Sequence, residues 1–145
     1  MCIRDSPSGL LHVLGEHGRT LTVLEWTGTA LEIISSVELP GSVVGDQASA
    51  IGYAHDGRTV FAGVRGSNLL SVLRASDDGR TLEPIGAVST EGAWPRSHAV
   101  DGDLVHIANE QSSTVVTMRI GDDGMPSPVA DPTPVPSPTH LVPAN

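Results

Sequence analysis

Lysine is absent from the 145-residue chain, and all eight of its cationic residues are arginine. Against 17 Asp plus Glu, these give a formal net charge of −9 at pH 7. Nucleic acids and anionic membrane surfaces are bound through clusters of cationic side chains, and this sequence has no such cluster. We therefore expect neither nucleic acid nor a membrane among the partners of the chain.

Long apolar runs and cysteine are scarce as well. No stretch approaches the roughly 18 apolar residues that span a bilayer, and no apolar segment follows basic residues near the N-terminus. The visible chain is accordingly expected in the cytoplasm. Cys2 is the sole cysteine, which excludes an internal disulfide and a cysteine-based zinc cluster.

Residues that form turns are abundant, whereas aromatic residues are few. The chain has 16 Gly and 11 Pro but only one Phe, one Tyr and two Trp, with 39% apolar residues. This composition is typical of a turn-rich β protein and argues against a helical bundle or a coiled coil.

An internal repeat organises most of the sequence. Three short apolar segments end at the equivalent positions Glu16, Arg65 and Glu110, which are 49 and 45 residues apart. The Asp-Gly turns that begin at Asp56 and Asp101 recur with the same spacing of 45 residues. Four antiparallel strands in a repeat of about 45 residues are typical of a β-propeller blade.

Within each repeat, apolar runs rich in Val, Ile, Leu and Thr are bounded by Asp-Gly or Gly-Ser turns, as strands are. The central repeat predicts strands over residues 49–54, 59–64, 69–74 and 81–88. The next repeat predicts strands over 96–100, 104–109 and 114–119 and a weaker strand after Gly124. We predict an all-β fold of about three four-stranded antiparallel blades, an incomplete part of a ring of seven.

The two ends of the sequence differ from a complete repeat. Residues 138–142 resemble the inner strand that begins near Pro95, so a further blade is expected to begin there. Residues 1–6 show no apolar alternation, and we interpret them as a non-native or disordered leader, with the first repeat beginning at its second strand. The expected blades and closing strand occupy residues 7–48, 49–92, 93–134 and 135–145.

Propellers typically close with four to eight blades, so a chain of about three blades is expected to be the C-terminal part of a longer ring. Its N-terminal blades would then be its main protein partner. The proline-rich run 131–138 favours a stiff connector to the closing strand, and a polyproline ligand for another domain is the alternative.

Five motifs in order carry a resemblance to a known family; they lie at residues 11–16, 64–67, 92–98, 107–110 and 135–138. From about Gly9 to Val142, the chain resembles the C-terminal half of the lactonase-family seven-bladed propellers. This group includes propeller-type 6-phosphogluconolactonases and cycloisomerases that act on carboxymuconolactone. The resemblance implies hydrolysis of a small anionic sugar lactone, with 6-phosphogluconolactone as the first candidate. It also implies a site at one end of the central channel, without a metal or other cofactor.

The resemblance also assigns residues. Glu16 and Arg65 match a functional glutamate and a functional arginine of the family and are implied to be catalytic. A further arginine and a histidine of the family site would come from earlier blades, so the chain alone is expected to show no useful turnover. Arg96, His98 and Glu110 are predicted to bind substrate.

Two positions depart from the family pattern. Gly15 stands where the family usually has Asn, and Glu110 stands where many relatives have Gln. Both departures bear on the identity of the substrate more than on the fold.

The predicted chemistry suits these residue types. Lactone hydrolysis needs a base that takes a proton from water and a cation that stabilises the oxyanion. A carboxylate and a guanidinium supply these roles, and the planar fork of arginine also binds phosphate or carboxylate through two parallel hydrogen bonds.

Simpler interpretations remain open for each of these residues. Glu16 and Arg65 could form a surface ion pair, Arg96 could pair between blades, and His98 could be a structural histidine. The whole chain could also belong to a non-catalytic propeller that binds a ligand or a protein. The enzyme requires Glu16 and Arg65 to converge at the channel mouth, whereas the binding module does not.

The other polar clusters are expected to be structural. Asp77-Asp78 and Asp122-Asp123 precede glycines at hairpin turns, where Asp-Gly is ordinary turn chemistry, so we expect no metal there. The remaining histidines that we assign to structural roles are His12, His55, His106 and His140.

Overall fold

The computed structural model describes residues 9–144 in full and residues 2–5 for their backbone. Every regular element in this part of the chain is a β-strand, and the strands form three antiparallel sheets that follow one another along the chain. The predicted all-β propeller blades are confirmed. The described residues contain no helix that is long and apolar enough to cross a membrane.

The first sheet contains four strands in sequential order. They are β1 (Cys2–Asp5), β2 (Leu11–Gly15), β3 (Thr20–Trp26) and β4 (Leu31–Glu38). Because β1 pairs with β2, the prediction that the first repeat begins at its second strand is wrong. An edge strand is held by backbone hydrogen bonds, which do not require the apolar alternation that residues 1–6 lack. Residues 1 and 6 of the predicted leader lie outside the described residues.

The second sheet follows the predicted strands closely. It contains β5 (Gln47–Tyr53), β6 (Thr59–Arg65), β7 (Leu69–Ala75) and β8 (Leu82–Ser89). Its first hairpin turns as the Asp-Gly pair predicts, since Asp56 Oδ1 accepts the N–H groups of Arg58 and Thr59, each at 2.8 Å. Gly57 takes the positive φ of 68° that this turn requires.

The third sheet has an interrupted outer strand. Its strands are β9 (Pro95–Asp101), β10 (Leu104–Asn109), β11 (Thr114–Ile120), β12 (Pro126–Pro128) and β13 (Thr133–Pro134). Both β12 and β13 pair with β11. Proline has no N–H to donate to a ladder, so the proline-rich outer strand pairs only in two short pieces.

After β13, the chain crosses from the outer strand of the third sheet to its inner strand. Leu141 N donates to Ser97 Oγ of β9 at 3.2 Å. The closing strand predicted at residues 138–142 does not form in this structure, because these residues have no regular structure. Their described hydrogen bond to β9 goes to a side chain, and a strand needs a backbone ladder.

Two apolar clusters join the three sheets. One lies between the first and second sheets and the other between the second and third. Every residue of β6 is buried, because this strand has a neighbouring sheet on each face. Val60, Ala62 and Val64 belong to the first cluster, and Phe61 belongs to the second, as the period of two in a strand requires. This packing holds the ends of equivalent strands in neighbouring sheets close together.

Candidate functional site

Two equivalent strand ends bring Glu16 and Arg65 into contact. Glu16 directly follows β2, and Arg65 ends β6 in the next sheet. The Arg65 Nη2 donates to Glu16 Oε1 at 2.6 Å and to the Ala48 carbonyl at 3.1 Å. Arg65 is only 9% exposed, whereas the Glu16 side chain is 36% exposed. The two residues expected to be catalytic therefore form one partly buried ion pair.

The turn after Arg65 is fastened by a buried carboxylate. Asp46 accepts the N–H of Ser67 at 2.8 Å through Oδ1 and the N–H of Val43 at 2.9 Å through Oδ2. Burial of Asp46 opposes its ionisation, but these hydrogen bonds outweigh burial and lower the pKa of its carboxyl group. Gly66, at φ 102°, packs directly on this carboxylate, so the chain leaves Arg65 along a defined path.

An aromatic ring completes the surroundings of Arg65. The Arg65 guanidinium carbon lies 5.5 Å from the centre of the Trp94 ring, within the range of a cation–π contact. Sequence reasoning used Trp94 only as part of a motif and missed this contact. The available signal was its position two residues before Arg96.

Arg96 and Glu110 form a second and looser ion pair, within the third sheet. Arg96 Nη1 lies 3.4 Å from Glu110 Oε2, and the two side chains are 42% and 30% exposed. A pair this exposed contributes little to stability, so it leaves Arg96 available to another anion. The structure thus brings together these two predicted substrate-binding residues.

Glu16, Arg65 and Arg96 line one cleft of about 300 Å³. Its other lining residues are Ala48, Ser49, Thr139 and His140. The three charged side chains come from three different sheets, so the cleft exists only where the blades meet. His140, which we expected to be structural, also lines it. The signal was the similarity of its segment to the inner strand that carries His98.

His98 lies elsewhere. Its ring packs edge-on against Phe61, with centroids 6.5 Å apart and planes at 88°. A Cβ on Gly52 would lie 2.8 Å from His98 Nε2, so these strands approach closely only because position 52 is glycine. His98 lines a separate pocket with Ile51 and Tyr53, not the cleft of Glu16 and Arg65.

The electrostatics of the cleft favour an ionised glutamate. The hydrogen bond from Arg65 lowers the pKa of Glu16 below its ordinary value of 4.5, and the charge of Arg65 acts in the same direction. At neutral pH Glu16 is therefore a carboxylate. It can accept a proton but has none to donate.

The Asp-Gly pairs that begin at Asp78 and Asp123 have a structural role, because each carboxylate accepts hydrogen bonds within its own turn. Asp78 Oδ1 accepts from Ser76 Oγ at 2.7 Å and from Arg80 N at 3.1 Å, and Asp123 Oδ1 accepts from Met125 N at 3.0 Å. Among the described residues, no three His, Cys, Asp or Glu side chains are grouped as metal ligands would be.

The profile of the family described as "Lactonase, 7-bladed beta-propeller" matches residues 5–143. The chain belongs to this lactonase family. It is 31% identical over 136 residues to the 6-phosphogluconolactonase of Bacillus subtilis (strain 168), which covers 86% of this chain and 39% of that protein.

Two solved structures share the fold of this lactonase-family chain. The periplasmic gluconolactonase of Pseudomonas aeruginosa matches with a TM-score of 0.87 and 23% identity, over 95% of this chain and 40% of that one. A putative 6-phosphogluconolactonase of Bacteroides fragilis matches with a TM-score of 0.88 and 17% identity, over 96% and 40%. The chain spans about two-fifths of the length of each of these three proteins.

Gly15, one of the two expected departures from the lactonase pattern, directly precedes Glu16. A Cβ at this position would lie 3.2 Å from Thr20 Oγ1 across the hairpin. Glycine therefore lets the chain pass close to Thr20 immediately before Glu16.

Proposed function

We propose that this chain is part of a lactonase that hydrolyses a small anionic sugar lactone, with conversion of 6-phosphogluconolactone to 6-phosphogluconate as the first candidate. The observation that carries the proposal is the convergence of Glu16, Arg65 and Arg96 on one cleft. The similarity to a protein named 6-phosphogluconolactonase supports the phosphorylated substrate.

Glu16 is the proposed general base. Its carboxylate takes a proton from water as the water oxygen bonds to the lactone carbonyl carbon, and the bond from this carbon to the ring oxygen then breaks. The proton passes to the ring oxygen, which becomes a hydroxyl group. One lactone and one water thus give one open-chain sugar acid.

Arg65 is proposed to stabilise the oxyanion that forms on the carbonyl oxygen. In the unliganded site, Arg65 Nη2 already holds Glu16 at 2.6 Å, which lowers the basicity of the carboxylate. Negative charge on the substrate oxygen competes for the same guanidinium and weakens that hold. The basicity of Glu16 then rises as the oxyanion develops.

Arg96 is proposed to bind the anionic substituent of the lactone. Its partner Glu110 forms a long and partly exposed ion pair, which a phosphate can replace at small cost. A planar guanidinium donates two hydrogen bonds to a phosphate and keeps its charge at any working pH. His98 is not part of this proposal, because it lies outside the cleft.

The working ring is proposed to have seven blades, of which this chain contributes three. An arginine and a histidine from the other blades would complete the site. The 145-residue chain by itself is therefore expected to show no useful turnover.

The test is a chimera in which residues 9–144 replace the matching region of the Bacillus relative. Hydrolysis of 6-phosphogluconolactone is measured above its spontaneous rate, with the 145-residue chain assayed in parallel. Glu16→Gln is expected to lower kcat by roughly 10²–10⁴-fold, the usual contribution of a general base. The matched control is Glu38→Gln, because Glu38 is exposed at the end of β4.

A folded chimera in which Glu16→Gln and Glu38→Gln have the same activity would remove Glu16 from the mechanism. A folded chimera that binds 6-phosphogluconate but never hydrolyses the lactone would favour the non-catalytic binding module. Substantial turnover by the 145-residue chain alone would contradict the incomplete site.

A further inference from the structure

Resting on the proposed function, we propose that Trp94 is a positioning residue that holds the Arg65 guanidinium at the cleft through the face of its indole ring. Arg65 has four flexible side-chain torsions, and its position sets the distance to both Glu16 and the substrate. Three groups surround it: the Glu16 carboxylate, the Ala48 carbonyl and the Trp94 ring. Trp94 is the one of these that restrains the guanidinium without using a hydrogen bond.

The donors of Arg65 are not all in use, which matters for a ligand. Both described hydrogen bonds of the guanidinium leave from Nη2. Arg65 Nε is buried and donates to no described residue. An aromatic ring within cation–π range restrains the guanidinium without occupying any of its N–H donors.

Trp94 has a backbone conformation that large residues rarely adopt. Its φ is 66°, in the left-handed region, and it precedes Pro95, which restricts the preceding residue to extended conformations. Strain of this kind persists only where the surrounding structure enforces it, and it is concentrated at functional sites.

Hydrogen bonds from two sheets enforce the conformation. Asn68 Oδ1, from the second sheet, accepts the Trp94 N–H at 2.8 Å. The Glu110 N–H, from the third sheet, donates to the Trp94 carbonyl at 3.0 Å. Both backbone polar groups of Trp94 are therefore bonded, and its backbone is held by two blades at once.

Asn68 does more than its turn requires. The equivalent hairpin positions in the first and third sheets are Arg19 and Ser113, and all three residues have φ between 51° and 58°. Since three different residue types satisfy this turn, its geometry does not account for an asparagine. The bond from the Asn68 side chain to the loop of Trp94 does.

The first experiment uses NMR on the 145-residue chain. The Glu16 carboxyl carbon is titrated, and solvent exchange of the Arg65 Nε–H is followed, in the parent chain and in Trp94→Phe and Trp94→Leu. Phenylalanine keeps a ring face and leucine keeps only bulk. Trp26→Leu is the matched control, because Trp26 is 61% exposed.

Trp94→Leu is expected to raise the pKa of Glu16 toward 4.5 and to speed exchange of the Arg65 Nε–H, because the guanidinium then leaves the carboxylate more often. Trp94→Phe and Trp26→Leu are expected to stay close to the parent. Asn68→Gly, which keeps the left-handed turn and deletes the amide, is expected to shift both signals in the direction of Trp94→Leu. This variant also serves if Trp94→Leu fails to fold.

Either of two results would overturn the inference: parent-like signals in both Trp94→Leu and Asn68→Gly, or a Trp94→Phe chain that behaves like Trp94→Leu. Kinetics of the chimera separate this result from the proposed function. Trp94→Leu is expected to lower kcat/KM about fivefold, the equivalent of about 1 kcal/mol for a lost cation–π contact. NMR shifts without any lactonase turnover would leave the positioning role standing and remove the lactonase.

Discussion

Replacement of Leu14 by alanine tests whether the packing between blades supports the site. Leu14 is 1% exposed and belongs to the cluster that joins the first and second sheets. Ala48, whose carbonyl accepts a hydrogen bond from Arg65, lies in the same cluster, and Glu16 is two residues beyond Leu14. A cavity at position 14 should therefore affect both stability and the ion pair.

The magnitude follows from the burial. Leu→Ala in a packed core costs about 3 kcal/mol, within a range of roughly 2–5 kcal/mol. An unfolding entropy of about 2.1 cal/mol/K per residue gives roughly 300 cal/mol/K for 145 residues, so Tm should fall by about 10 °C. Leu31→Ala is the matched control, because Leu31 is 51% exposed and should cost less than about 0.5 kcal/mol.

The assay is thermal unfolding followed by circular dichroism and by the fluorescence of Trp26 and Trp94 in single-tryptophan variants. Coincident transitions for both tryptophans would indicate that the three blades unfold together. The reasoning fails if Leu14→Ala is as mild as Leu31→Ala. It also fails if Leu31→Ala lowers Tm by the full 10 °C or so expected of Leu14→Ala, since exposure would then not decide the loss of stability.

Two further predictions concern buried polar groups. Burial lowers the pKa of His12 below its ordinary value of 6.5. Below pH 6.5 the unfolded chain therefore binds a proton at His12 more readily than the folded chain does, and the free energy of unfolding falls as the pH drops. Above pH 6.5 the contribution of neutral, buried His12 to stability is fully present. His12→Gln should flatten the pH dependence of Tm below about pH 6.5, whereas Gln111→Ala, at an exposed residue that does not titrate, should leave it unchanged. The opposite pattern would contradict the assignment. Asn109 Nδ2 donates to the Thr90 carbonyl at 2.9 Å in a buried position, so Asn109→Ala should cost about 1–3 kcal/mol in urea unfolding. Replacing exposed Gln111 by Ala should cost much less, and equal costs would rule out the buried hydrogen bond as the cause.

The repeat in the sequence was enough to predict the blades. Strands over 59–64, 69–74 and 104–109 agree with β6, β7 and β10 to within a residue, because apolar alternation and Asp-Gly turns are local properties. The failures occurred at the ends. Pairing of β1 and the irregular tail depend on which backbone edge lies nearby, and no local pattern encodes that.

The arrangement of the candidate site was predicted in part. The repeat placed Glu16, Arg65 and Glu110 at equivalent strand ends, and a likeness to a known family singled out the first two. The sequence could not assign His98 to its contact with Phe61, because what a side chain on an inner strand meets depends on how neighbouring blades pack. The sequence also did not reveal that Trp94 contacts Arg65 from a loop, or that His140 lines the cleft from the tail.

The sequence by itself thus determined the blade architecture, the acidic balance and the residues available at strand ends. Those features follow from composition and from periodicities of two and about 45 residues, which survive without knowledge of distant contacts. Only the tertiary structure decided which charges pair. Glu16 meets Arg65 across 49 residues and Arg96 meets Glu110 within one blade, because the distance between side chains depends on how the sheets pack. The same packing places Trp94, with its left-handed backbone conformation, against Arg65. The two hydrogen bonds to the Trp94 backbone come from different sheets.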